Sequence, residues 1–204
     1  PSLTGTASTG TGITNANFIA NDQFTNTTNG PLDVVYTVTP YRLGCPGDPF
    51  TITITIKPEP VVANQTGSAC SDAPIGILLG NDVDGPAAAS YNITNINPNG
   101  LTASAGSPVV ANMVTAGEIA NDAWTNATNA SVDVIYTVVP VSADDCEGDP
   151  FTVTVTIQPE PVVAFQTKTV CSDEALNLNL GNDVDGPPVV FYDITNINSN
   201  GLVA

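Results

Sequence analysis

The chain has 204 residues, of which 20 are acidic, three basic and none histidine, giving a formal net charge of −17. That balance excludes a basic patch for nucleic acid or an anionic membrane, and without histidine no Ser-His-Asp or Cys-His nucleophile can be built. With 42% apolar and 11% charged residues, the composition is too hydrophobic for disorder.

The first predicted strand, Asp33-Val34-Val35-Tyr36-Thr37-Val38, is followed by a loop carrying Cys45, Pro46 and Gly47. Phe50-Thr51-Ile52-Thr53-Ile54-Thr55-Ile56 alternates apolar residues with threonine, which predicts a half-buried strand with one face in water. Pro58-Glu59-Pro60 comes next. A Pro-x-Pro segment is stiff and a poor ladder partner, as suits an interdomain junction. Shorter candidate strands are Val61-Val62-Ala63, residues 76–79, residues 91–96 and residues 108–112. Asn29-Gly30, Asp84-Gly85-Pro86 and Asn99-Gly100 mark turns between elements. Residues 115–125 have room for one short helical turn, and no sustained helical period occurs anywhere.

The chain then repeats itself. Cys45-Pro46-Gly47-Asp48-Pro49-Phe50 returns 101 residues later as Cys146-Glu147-Gly148-Asp149-Pro150-Phe151, and Cys70-Ser71-Asp72 as Cys171-Ser172-Asp173. The strands return as Asp133-Val134-Ile135-Tyr136-Thr137-Val138 and residues 151–157, and the junction returns as Pro159-Glu160-Pro161. A period of this length is a whole small domain. About seven strands per hundred residues predict an all-β sandwich. Placing boundaries at Pro-x-Pro divides the chain into three. Residues 1–58 are the C-terminal half of one repeat, 59–158 a complete repeat, and 159–204 the N-terminal half of the next. Half a sandwich exposes its inner face and is not expected to be stable alone.

The order Pro-x-Pro-Val-Val, Cys-Ser-Asp, Tyr-Thr-Val-x-Pro and Cys-x-Gly-x-Pro ahead of a Thr/Val strand resembles the PKD-like, immunoglobulin-like repeats of giant Bacteroidota cell-surface proteins, including gliding-type adhesins. The matching positions are 159–163, 171–173, 136–140 and 146–150, with their first-copy equivalents. The resemblance implies a secreted β-sandwich in a long adhesive or filamentous protein and brings no catalytic residues. The acidic turn Asn81-Asp82-Val83-Asp84-Gly85 departs from the general pattern.

Four cysteines at two repeating positions with no histidine suggest disulfides, and with them an oxidising, extracellular compartment; the alternative is four buried free thiols. The domain phase favours Cys70–Cys146, leaving Cys45 and Cys171 with partners outside this stretch. The competing connectivity is Cys45–Cys70 with Cys146–Cys171. The acidic turns offer Asp82, Asp84, Asp183 and Asp185 as candidate calcium ligands. Further oxygens would come from Asp22 or Asp122, or from Asp144, Asp145, Glu147 and Asp149. The competing reading is a solvated hairpin held by Asx turns. Asn26, Asn64, Asn92, Asn126 and Asn129 open Asn-x-Ser/Thr sequons, and a chain this rich in Asn and Thr produces such triplets by chance. Trp124 and Phe24 share one repeat position and are expected to be core or interface anchors, and Tyr36 and Tyr136 to be core.

Carboxylates duplicated in every repeat suit a structural role better than a single catalytic cleft, so no enzyme activity is expected. No apolar run approaches the roughly 20 residues that cross a bilayer, and no signal-peptide pattern is seen. The expected function is an extracellular structural module of a filament, stalk or adhesin: a disulfide-locked spacer whose neighbours are repeats of the same chain or identical subunits. The alternatives are a carbohydrate-binding or adhesive module contacting a surface glycan through loops such as 125–130, and a subunit assembled by strand exchange between chains.

Overall fold

A computed structural model of the chain describes residues 3–181 and 183–201. Every regular element in it is a strand. The N-terminal part holds β1 (Thr4–Thr6), β2 (Gln23–Thr25), β3 (Leu32–Val38), β4 (Tyr41–Arg42), β5 (Cys45–Pro46) and β6 (Phe50–Ile56). The middle part holds β7 (Val61–Val62), β8 (Gln65–Cys70), β9 (Asp82–Asp84), β10 (Ser90–Asn97), β11 (Thr102–Ala105), β12 (Ala111–Val114), β13 (Ala123–Thr125), β14 (Val132–Val141) and β15 (Phe151–Gln158). β16 (Val162–Val163) and β17 (Asp183–Asp185) complete the chain.

A five-stranded sheet in the order β12-β10-β14-β15-β8 forms the first layer of the middle part. Its centre is the antiparallel pair β14–β15, with Val134 opposite Val155 and Tyr136 opposite Val153. Alternation of β-branched residues and threonine puts Val134, Tyr136, Val138, Phe151, Val153, Val155 and Ile157 on one buried face. The other face is polar: Thr156 Oγ1 donates to Asp133 at 2.6 Å, and Thr55 repeats the bond to Asp33 at 2.7 Å. The buried face packs against Val62 of β7, Ile75 and Leu79, Ile119 and Trp124 of β13, and Tyr91 meets Phe151 edge-on with ring centroids 6.3 Å apart. Two apposed layers with this core make a β-sandwich.

Several elements depart from expectation. Residues 76–79 form no ladder, because their backbone bonds go to a turn: Gly76 N–H donates to Ala120 O and Leu79 N–H to Ala116 O. The strand expected at 108–112 starts at Ala111, where the register against β10 slips. The turn expected around Asp82 and Asp84 is strand β9, paired with β7. β8, not anticipated at all, adds to β15 in parallel, running from Gln65 opposite Val153 to Cys70 opposite Gln158.

That pairing does not bring the expected Cys70–Cys146 pair together. Cys70 lies beside the last residue of β15, whereas Cys146 precedes the first, in a loop whose Gly148 N–H donates to Pro140 O. A strand the length of β15 spans about 25 Å at ~3.3 Å per residue, and a disulfide needs Cα atoms about 4.4–6.8 Å apart. All four cysteines are free thiols, with Cys45, Cys70 and Cys171 exposed.

Burial separates the copies. Phe151 and Val155 are 2% and 0% exposed, while their counterparts Phe50 and Ile54 are 48% and 41% exposed. The hydrophobic core cluster is drawn entirely from residues 62–157.

Candidate functional site: the inter-repeat junction

The two Pro-Glu-Pro segments are gripped in the same way. Glu59 N–H donates to Asn26 O at 2.9 Å, and Glu160 N–H to Asn126 O at 3.1 Å. On the other side of each glutamate, a glycine of the following copy sits against its carbonyl. A Cβ on Gly85 would run into Glu59 O, and one on Gly186 into Glu160 O. Both glycines have positive φ (71° and 73°), a conformation that disfavours side chains. One peptide unit is thus held by the preceding repeat through its nitrogen and by the following repeat over its oxygen. At the first junction Gly148 also packs on Pro60 O, and Pro58 and Pro60 are buried.

The asparagine behind each grip is a hub. Asn126 is 0% exposed. Its Nδ2 donates to Ala130 O at 3.0 Å and Ile157 O at 2.8 Å, and its Oδ1 accepts from Thr128 N–H at 3.1 Å and Thr128 Oγ1 at 2.7 Å. Asn126 N–H donates to Ser71 Oγ at 2.8 Å. Asn26 reproduces the pattern with Gly30, Ile56 and Thr28. In these two sequons the threonine is the partner of the asparagine amide, and both Nδ2 protons are engaged inside the protein. Asn64 accepts from Thr152 N–H at 2.8 Å, Asn92 bridges Glu147 and Met113 N–H, and Asn129 is exposed.

Carboxylates gather at the junctions. Burial and the nearby Asp149 push the Glu59 carboxyl up. Burial and the charge of Asp72 do the same to Glu160. Asp72 is held below the usual carboxylate range, chiefly by the Thr125 hydroxyl, which donates at 2.7 Å. Lys57 reaches Asp144 at 3.5 Å across the first junction, with both side chains largely in water, a contact worth little by itself.

The candidate calcium ligands are not brought together. Asp82 and Asp84 project from one short exposed strand, and Asp84 Oδ1 instead accepts from Gly85 N–H at 2.9 Å. Asp185 does the same for Gly186; the side chain of Asp183 lies outside the described residues. The expected auxiliary donors are elsewhere: Asp122 is buried against Tyr136, and Asp22 accepts from Ser8 and Tyr36. Among the described residues no group of three potential ligands forms. Calcium would require six to eight oxygens, so the Asx-turn reading fits these residues better.

Trp124 is a core residue and offers no aromatic platform. It is 4% exposed, and its Nε1 donates to Tyr136 Oη at 3.0 Å. The junction hub escaped the sequence reading, although Asn-x-Thr placed 33 residues before each Pro-Glu-Pro glutamate at Asn26 and 34 at Asn126 was visible in it.

A family model described as a PKD-like domain matches residues 2–60 and 67–161, the greater part of the chain. No curated protein and no solved structure matches it.

Proposed function

Since the chain belongs to the PKD-like domain family, we propose that it acts as a structural repeat module in an extracellular filament, stalk or adhesin. Residues 59–158 are the complete repeat, flanked by parts of its neighbours. The observation that carries this reading is the double grip on Glu59 and Glu160, nitrogen bound by one repeat and carbonyl packed by the next. A linker fixed on both sides transmits orientation from one sandwich to the next, where a Gly/Ser linker would let each swing freely. This packing supports a stiff junction without any disulfide between the described residues. A glycan-binding role draws less support: such sites offer exposed aromatic faces, and the repeat's tryptophan is internal.

Small-angle X-ray scattering on the 204-residue chain tests the reading. A rod-like profile, with cross-section set by one sandwich and length exceeding it severalfold, is expected. A profile that fits only freely jointed particles would overturn it.

A further inference from the structure

The chain enters and leaves the middle repeat through two neighbouring strands. It comes in from Pro60 through β7, Ala63 and Asn64 to β8, and it goes out from β15 into Pro159. β8 and β15 run side by side in the same direction, from Gln65 opposite Val153 to Cys70 opposite Gln158. Tension between the two junctions therefore pulls β8 by its first residue and β15 by its last, at opposite ends of one ladder. Parallel ladder bonds are evenly spaced, so a pull along the strands loads all of them together. A pull on both strands at one end would open the bonds one at a time. Asn64 lengthens the ladder at the end where tension enters: its Oδ1 accepts from Thr152 N–H at 2.8 Å, one step before the first backbone pair. β7 resists less, being two residues long and paired with β9 across an irregular register. Beneath the ladder, Ala69 packs on a core that includes Val155 and Ile157, so sliding β8 away also exposes apolar surface.

We propose that the β8–β15 pair, latched by Asn64, is a mechanical clamp that keeps the repeat folded under tension along the array. The resistance is directional: it is large for a pull from junction to junction and small for a pull that separates β8 and β15 from one end. The parallel direction of the pair decides this. Had β8 run antiparallel to β15, both strands would be pulled from the same end and would peel apart. The clamp deepens the spacer reading and rests on the repeat boundaries given there.

Single-molecule stretching of the 204-residue chain in two directions tests the proposal, since rupture under force reports the unfolding barrier. Held by its two ends, the chain should show one strong rupture that releases about 300 Å, the length of residues 65–158 at ~3.3 Å per residue. The second direction uses Cys70, which is exposed, as one attachment point and the C-terminus as the other, with Cys45, Cys146 and Cys171 replaced by serine. That pull acts at one end of the ladder, and the same repeat should open at severalfold lower force. Asn64→Ala should lower the end-to-end force and leave the Cys70 force unchanged, because peeling starts at the far end of the ladder. Asn64→Asp, which keeps an acceptor for Thr152 N–H, should restore the end-to-end force. Emission of the buried Trp124 shows that each variant is folded. Equal forces in the two directions overturn the clamp, and an Asn64→Ala chain weakened alike in both overturns the latch. Equal forces would leave a rod-like scattering profile standing, and a freely jointed profile would leave the force ratio standing, so the two readings fail separately.

Discussion

Tyr136 Oη donates to Asp122 Oδ2 at 2.9 Å inside the core, and the same pair recurs between Tyr36 and Asp22 at 2.6 Å where the sandwich is open. One bond in two environments gives opposite electrostatics. In the open copy the Tyr36 and Ser8 bonds hold Asp22 below its usual value, and Tyr36 is pushed up to about 12. In the closed copy burial outweighs the Tyr136 bond and raises Asp122. Desolvation opposes the charged carboxylate there more strongly than one phenol favours it.

Asp122 should therefore give the middle repeat an inverted acid response. Its folded value lies above the unfolded one, so between the two the native state holds more protons. Stability then falls as pH rises through that window, starting near the unfolded value of about 3.9. Urea unfolding of wild type and Asp122→Asn between pH 3.5 and 7 measures this. The variant, which keeps an acceptor for Tyr136, should lack that part of the slope.

Tyr136→Phe removes the one hydroxyl that serves both Asp122 and Trp124 Nε1. Two buried polar groups lose their partner, and each costs about 1–3 kcal/mol. Tyr36→Phe, whose phenol is only half-buried, should cost less. Thermal melts of the two variants give the ranking, and an equal loss in both would contradict the burial difference.

The Asn126 hub makes a sharper case. Asn126→Ala takes the Nδ2 donor from the buried Ile157 carbonyl, leaves the Ala130 carbonyl with the Thr128 hydroxyl alone, and frees Thr128 N–H, for a loss of about 1–3 kcal/mol. Asn129→Ala, three residues away and exposed, should stay within about 0.5 kcal/mol. Chemical denaturation separates the two readily.

The alternating strands and the turns were legible because period-two patterning and Asn-Gly chemistry are local signals. Phe151–Gln158 appears almost where the threonine alternation put it, and Asn99-Gly100 adopts left-handed backbone at both positions (φ 47° and 92°). β8 was not legible: Gln65-Thr66-Gly67-Ser68-Ala69-Cys70 has no apolar alternation, and its strand state comes from parallel pairing to β15. The position of Cys70 was hidden for the same reason, since the direction of β8 decides which end of the sheet it occupies. Asn126 looked like a sequon because Asn-x-Thr is the same triplet whether the amide faces solvent or closes a turn, and only burial tells these apart. The Pro-Glu-Pro boundary was visible, but the glycines that pack on it lie 26 residues downstream in each copy.

The thiols provide a direct check on what stiffens the rod. Cys45, Cys70 and Cys171 are exposed and Cys146 half-exposed. All four should react with a chromogenic disulfide reagent in native buffer, with Cys146 the slowest. Reductant should leave the melting temperature unchanged. Fewer than four reactive thiols per chain in the absence of reductant would restore a disulfide.

Gly148→Ala tests the junction without altering a left-handed residue, since only Gly85 and Gly186 of the gripping glycines have positive φ. The added methyl meets Pro60 O and, at 3.1 Å, the ring of Pro140. The backbone of the junction must therefore shift to admit it, because neither neighbour is the end of a flexible side chain. Core residues such as Val153 and Val155 do not touch this position, so unfolding of the middle repeat should change by no more than about 1–3 kcal/mol, the usual cost of overpacking. The clearer consequence is mechanical: the first junction loses its close packing, and scattering should report a broader distribution of end-to-end distances. A variant that unfolds like wild type yet bends more would assign the stiffness to the junction. One that keeps the wild-type scattering profile would assign it elsewhere.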